Sequence, residues 1–355
     1  MPELPEVETI RRQLQNSLLG LELIQVEVLH EKSWHNIDDL PVVGCEVIGI
    51  RRLGKALILD LTNNLPDKGF TPKDDVLQNL NRLSLVVHLK MTGQLVYEEE
   101  NQKLEVKSQN SGVSDKEEGN ELIVKRIAGG HPTGDFVGKL PSKHTRVIIK
   151  LKAKSQKSEA FSFDSSEPSA EQKYPEIWSP SSRVFNLYFN DQRLFGWIKA
   201  LRTEEVAELG FIKKLGKEPW DLSLSEWLKI CSKSKKSIKL LLLDQDKIAG
   251  IGNIYANDGL WEAGIDPLRP ANSLSSKEVE RVRMGIIRVL EDGIKYGGAS
   301  ISDYKHLDGM GGQYQHHVRV YGREGQTCNR DDCDGVIEKT KLGGRGTFWC
   351  PVCQG

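Results

Sequence analysis

The chain lacks any long apolar run, any excess of one charge, and any cysteine framework along most of its length. No stretch approaches the ~20 apolar residues that a membrane-spanning helix needs, so a membrane protein of that kind is excluded. The start, MPELPEVETIRRQLQ, is acidic and proline-rich, which excludes a secretory signal and makes a cytosolic setting the expectation. Six cysteines in 355 residues, four of them after residue 327, are expected to be reduced or metal-bound there. No repeat of solenoid length is present. What remains is an ordinary globular composition, 38% apolar and 28% charged, long enough for two or three domains.

The near-balance of 49 basic and 50 acidic residues withholds the simplest sign of a nucleic-acid binder. The distribution reverses that reading. Residues 97–138 carry a net −4 and residues 154–182 a net −2, so the rest of the chain is at +5. Both acidic stretches are rich in Ser, Glu, Lys, Gln and Gly and read as surface insertions. The basic remainder is compatible with a phosphate-binding face.

Periodicity divides the chain. Val7, Ile10, Leu14 and Leu18 form a helical stripe. LELIQVEVLH, VVGCEVIGIRRLGKALILDLT, LSLVVHLKMTGQLVY, TRVIIKLK and VFNLYFN read as strands, giving a β-domain with an N-terminal helix over residues 1–200. SLSEWLKICSK, KSIKLLLLDQ, NIYANDGLWEAG and SKEVERVRMGIIRVLEDGIKYG read as helices of a second domain over 203–305. Residues 314–355 form a small third unit of short strands. The fold class expected is α+β.

Cys328, Cys333, Cys350 and Cys353 read C-x4-C-x16-C-x2-C. Two close pairs on two turns point four thiolates at one tetrahedral zinc, and a closed four-sulfur site is structural rather than catalytic. Two disulfides or free thiols are the alternative, disfavoured in a cytosolic chain. The intervening segment suits a hairpin with GGRG as its turn and Arg345 at the tip. In KIAGIGNIYANDGL, a glycine turn leads into a helix with Asn253 as its N-cap. The exposed amides there suit a phosphate, although an ordinary helix–turn–helix is the reading these residues favour on their own. The lysine run KSKKSIK, which includes Lys239, lies beside it.

Together MPELPEVETIRR, GIGNIYANDGLWEAGI and QHHVRVYGREGQTC…CPVC resemble the formamidopyrimidine-DNA glycosylase family, over nearly the whole chain except the insertions. The resemblance implies an N-terminal β-sandwich domain, a helix-two-turn-helix domain and a zinc-finger hairpin, with one structural zinc. It implies a monomer acting in the bacterial cytosol on damaged double-stranded DNA, bound between the domains. The activity implied is excision of oxidised purines followed by strand cleavage at the abasic site. Pro2 then corresponds to the nucleophile, Glu3 to the acid/base carboxylate, Glu6 to a second carboxylate, and Lys55 to a lysine near the lesion phosphates. Met91, Arg193 and Phe195 correspond to residues filling the gap left by the extruded base, although Met91 and Phe195 alone would read as core. Asn253 and Arg345 correspond to phosphate contacts, with His88 and Lys239 as further DNA-contact candidates.

The chemistry needs such residues. Attack on a sugar C1′ requires a free amine. Near neutral pH about one α-amine in five is unprotonated, against roughly one lysine in a thousand. A proline adduct is an iminium that stays cationic without a proton and acts as an electron sink. Three features depart from the family pattern: the x4 spacing of the first cysteine pair, Gln192 and Leu194 where proline and arginine are common, and the two acidic stretches. An endonuclease VIII-like enzyme acting on oxidised pyrimidines and a non-catalytic zinc-finger DNA-binding protein are the competing readings.

Overall fold

The computed structural model describes residues 2–62, 82–99, 126–130, 134–136, 138–153, 183–299 and 312–355. The expected insertion 154–182 lies outside the described residues, as does most of 97–138. The described ends of the latter are not surface chain. Residues 97–99 belong to β6 (Gly93–Glu99), and β7 (Arg126–Gly130) pairs antiparallel with it, Glu98 opposite Arg126. The acidic composition of the segment hides this hairpin.

Helix α1 (Leu4–Leu18) opens the chain and buries the expected stripe Val7, Ile10, Leu14 and Leu18. The sheet strands that follow are β1 (Leu21–Val28), β2 (Trp34–Asn36), β3 (Glu46–Leu53), β4 (Ala56–Thr62) and β5 (Leu83–His88). After β6 and β7 come β8 (Thr145–Ala153), β9 (Val184–Asp191) and β10 (Trp197–Arg202). Their order is β2-β10-β5-β4-β3-β1-β8-β9-β6-β7. One residue pair, Glu22 opposite Glu46, joins β1 to β3, so the sheet folds there into two facing halves. Leu57, Leu59, Leu85 and Val87 of one half meet Leu23, Val147, Ile149 and Phe189 of the other in one core, which α1 completes. This is the expected sandwich, driven by alternation of apolar residues along each strand.

The second domain starts later than residue 203. Val206, Leu209, Phe211 and Ile212, including the single turn α2 (Gly210–Lys213), pack on the outer face of β4 and β5 against Ile58 and Val86. The helical core begins near Trp220 and Leu222. It comprises α3 (Leu224–Ser232), α4 (Ile238–Leu242), α5 (Asn253–Ala263) and α6 (Ser276–Lys295). Ser223 and Ser275 cap α3 and α6 in reciprocal boxes with Glu226 and Glu278. The third unit is the hairpin β11 (Glu338–Leu342) and β12 (Arg345–Trp349), with Gly343 and Gly344 at positive φ making its turn. Among the described residues no helix is long and apolar enough to cross a membrane.

Candidate active site

The first residues are held where the domains meet. Pro2 is buried, as are Glu3 and Glu6. Glu3 caps α1, its own N–H donating to Glu6 Oε2 at 2.8 Å. The Leu4 N–H donates to the Gly250 carbonyl at 3.1 Å, tying the terminus to the helical domain. The Glu3 carboxylate reaches further. Its oxygens accept from the amides of Ile254 (3.0 Å) and Tyr255 (3.4 Å), so Glu3 caps α5 from 250 residues away.

That arrangement corrects two expectations. The N-cap position of α5 is Gly252, not Asn253, and its side-chain partner is Glu3. The amides of Ile254 and Tyr255, which suit a phosphate, are already engaged by a carboxylate. Gly252 is required because a Cβ there would stand 2.0 Å from Glu3 Cδ. Asn253 instead donates from Nδ2 to the Gly346 carbonyl at 3.1 Å, linking α5 to β12.

Lys55, in the turn between β3 and β4, is buried and donates to the Ile251 carbonyl at 2.7 Å. Burial raises the Glu3 carboxyl to about 7, with Lys55 pulling it back and Glu6 adding to the rise. Burial lowers Lys55 to about 8, with Glu3 opposing that fall and Arg345 reinforcing it. Glu6 Oε1 accepts from the Tyr255 hydroxyl and from the Ala299 amide, both at 2.8 Å. Tyr255, pushed well above its ordinary range by burial, remains a donor. The sequence reading did not single out Tyr255; its position two residues into α5 is the only signal.

Arg345 is exposed at the first position of β12, just after the turn rather than at its tip. Lys239 differs from expectation. It is fully buried, and its Nζ donates to the Gly346 carbonyl (2.8 Å) and Thr347 Oγ1 (2.7 Å). Its amine is spent on the strand carrying Arg345, because α4 packs under the hairpin. Burial, then repulsion from Arg345, lowers it to about 7.

Met91, Arg193 and Phe195 lie on neighbouring turns. Met91 is 44% and Phe195 57% exposed, which removes the core reading of both. The guanidinium of Arg193 lies 4.0 Å from Met91 Sδ. Buried Asp191 shapes this corner by accepting from the amides of Arg193 (3.1 Å) and Gly196 (2.6 Å) and from the Thr92 hydroxyl. Lys90 and Leu194 take the left-handed conformation on the two turns. Asp191 was missed because a strand-end aspartate reads as an ordinary turn residue. His88, a further DNA-contact candidate, stands half-buried among aromatic rings. Its ring packs against Trp197 and Phe211, its Nδ1 accepts from the Lys90 amide at 3.1 Å, and burial lowers it to about 3, keeping it neutral.

The four Sγ atoms of Cys328, Cys333, Cys350 and Cys353 lie within 4.8 Å of one another. The Cys328–Cys353 and Cys333–Cys350 separations are 3.8 and 3.7 Å. A tetrahedron with Zn–S of about 2.3 Å has edges of about 3.8 Å, and a disulfide would be near 2.05 Å. The donor set therefore fits one structural zinc. The longer first turn is absorbed by Asp332 at positive φ and by a Cys333 amide bond to the Arg330 carbonyl.

A β-sandwich, a helical domain with a glycine turn and a zinc hairpin converge on a buried N-terminal carboxylate beside Lys55. Residues 1–198 match the formamidopyrimidine-DNA glycosylase N-terminal domain, 215–305 the formamidopyrimidine-DNA glycosylase H2TH domain, and 325–355 the zinc finger found in FPG and IleRS. The formamidopyrimidine-DNA glycosylase of Pelotomaculum thermopropionicum is 33% identical, covering 100% of this chain and 99% of the relative. That of Desulfitobacterium hafniense is 31% identical, covering 100% of both. Among solved structures, a Lactococcus lactis FPG mutant with Fapy-dG-containing DNA aligns at a TM-score of 0.68 and 27% identity, covering 99% of each chain. The wild-type Lactococcus lactis enzyme with oxidized-pyrimidine-containing DNA aligns at 0.68 and 26%, also covering 99% of each. The chain belongs to the formamidopyrimidine-DNA glycosylase family.

Proposed function

We propose that this glycosylase excises oxidised purines such as 8-oxoguanine and formamidopyrimidines from duplex DNA and then cuts the strand. The secondary amine of Pro2, freed by removal of Met1, attacks C1′ as the bond to the base breaks and the base leaves with a proton. The C1′–O4′ bond then opens, the ring oxygen taking a proton to become a hydroxyl, and the iminium so formed acidifies C2′. Loss of that proton expels the 3′ phosphate, and a second elimination expels the 5′ phosphate. Glu3, poised near neutral pH by burial, stabilises positive charge on the sugar and moves protons. Lys55 and Arg345 attract the phosphates flanking the lesion, with Asn253 beside them. Met91 and Phe195 are apolar wedges for the emptied stack, and Arg193 offers donors to the orphaned base.

The observation carrying this reading is the buried Pro2-Glu3 terminus, with its carboxylate fixed on the amides of α5. Oxidised pyrimidines are the second substrate class to test, because the Lactococcus lactis relative was solved with such DNA.

Borohydride added during reaction with 8-oxoguanine duplex is expected to lock protein to DNA, with the adduct mapping to Pro2. A chain with an uncleaved N-terminal extension is expected to trap none. Equal trapping by the extended chain would assign the nucleophile to a lysine such as Lys55 and overturn the mechanism. Faster nicking of an oxidised-pyrimidine duplex than of 8-oxoguanine would overturn the substrate class.

A further inference from the structure

Helix α5 is gripped at its far end by the finger. Trp261, buried in its last turn, donates from Nε1 to Cys328 Sγ at 3.2 Å. The guanidinium of Arg330 lies 4.5 Å over the Trp261 ring and also donates to the Trp261 carbonyl. Gln354 is buried as well. It accepts from the Cys350 amide (2.8 Å) and donates to the Ile265 carbonyl (2.9 Å) just past the helix. Two of the four zinc-ligating cysteines thus have partners that connect straight to α5. Arg330 sits inside the x4 turn, the segment in which this chain departs from the usual spacing.

We infer that Trp261 is an outer-sphere partner of the zinc centre, holding the Cys328 thiolate by its indole N–H while Arg330 clamps its ring. A thiolate bound to zinc keeps excess negative charge, and a buried N–H donor disperses it. Such a donor slows loss of the ligand and fixes the sulfur lone pair toward the metal. Arg330 lies over one face of the buried ring and adds a cation–π contact. The finger therefore keeps its metal and its seat on α5 through one side chain.

The test uses the zinc-loaded full-length protein and follows zinc transfer to excess chelator with a metallochromic dye. Trp261→Phe keeps an aromatic six-membered ring and removes the pyrrole ring with its N–H; zinc loss is expected to rise about tenfold, at the lower end of outer-sphere effects. A rate within twofold of wild type would overturn the inference. Cobalt substitution supplies a signature that packing alone would not move. Removing the hydrogen bond raises the energy of the sulfur donor electrons, so the thiolate-to-cobalt band should move to longer wavelength in the folded variant. An unshifted band would also overturn it. Should Trp261→Phe fail to fold, Arg330→Gln at its partly exposed position tests the clamp alone. About threefold faster zinc loss is expected, and a wild-type rate would overturn the proposal.

Discussion

Glu3 and Lys55 place two charge changes inside the physiological range. Burial raises the carboxyl to about 7 and lowers the amine to about 8. Excision should rise as pH passes through the first step, when Glu3 becomes the carboxylate that stabilises a cationic sugar. It should fall as pH passes through the second, when Lys55 loses the charge that attracts phosphate. A pH–rate profile of single-turnover excision checks this, and Glu3→Gln should erase the acidic limb while leaving DNA binding within about threefold. Lys239 makes a different claim. Because its amine is buried against Gly346 and Thr347, Lys239→Met should weaken DNA binding without changing its salt dependence, whereas Arg345→Ala should reduce the slope by about 1. Binding titrations at several salt concentrations separate the two. A lysine run reads as a solvated face, so nothing in KSKKSIK marks which member turns inward; only the packing of α4 against the hairpin decides it.

Helix α1 was legible because its apolar stripe is a local signal. The start of α5 was not. Asn253 is a good N-cap by its own chemistry, yet a carboxylate arriving from residue 3 takes the role, and no local pattern encodes a partner so distant. The hairpin β6–β7 was hidden for another reason: RIAGG carries little strand character and gains it by pairing with β6. The same distant contact makes a sharp prediction for the helix start. Gly252→Ala would place a methyl into the Glu3 carboxylate and push it off the amides of Ile254 and Tyr255. Excision should fall at least about tenfold, the equivalent of about 1.4 kcal/mol of barrier. Zinc content and duplex affinity should stay near wild type, as single-turnover kinetics and a metal assay would show.

The three domains and the zinc cysteines could be read from the chain because each rests on contiguous motifs. The contacts between domains could not, and they decide how the domains are held against one another. Arg52 on β3 is central among them. Its guanidinium donates to Glu8 of α1 at 3.2 Å and to Glu218, ahead of the helical core, at 2.9 Å. The Gly54 amide also donates to Glu218, at 3.0 Å. Glu8, hydrogen-bonded by Arg11, Arg12 and Arg52 against a burial penalty, is held down at about 2. A depressed carboxyl contributes stability that is present above its unfolded value and lost as pH falls toward the folded one. Thermal stability should therefore drop between about pH 4.5 and 2. Arg52→Leu should lower the melting temperature at pH 7 and flatten that acid dependence, as melts across pH would record.

Helix α5 has a bearing on how such genes can recombine. It is 11 residues, or about 16 Å, long, with Glu3 seated on its first amides and the finger on its last turn. A crossover between two family genes within residues 253–265 would join one parent's carboxylate seat to the other's finger seat. A crossover in residues 203–212, which pack on the sheet, keeps α5 and the finger from one parent and, of the two seats, parts only that of Glu3, whose partners on α5 are backbone amides that either parent supplies. Viable chimaeras should accordingly carry α5 and the finger from the same parent, so that the metal module and the helix descend together although some 60 residues separate them in the chain.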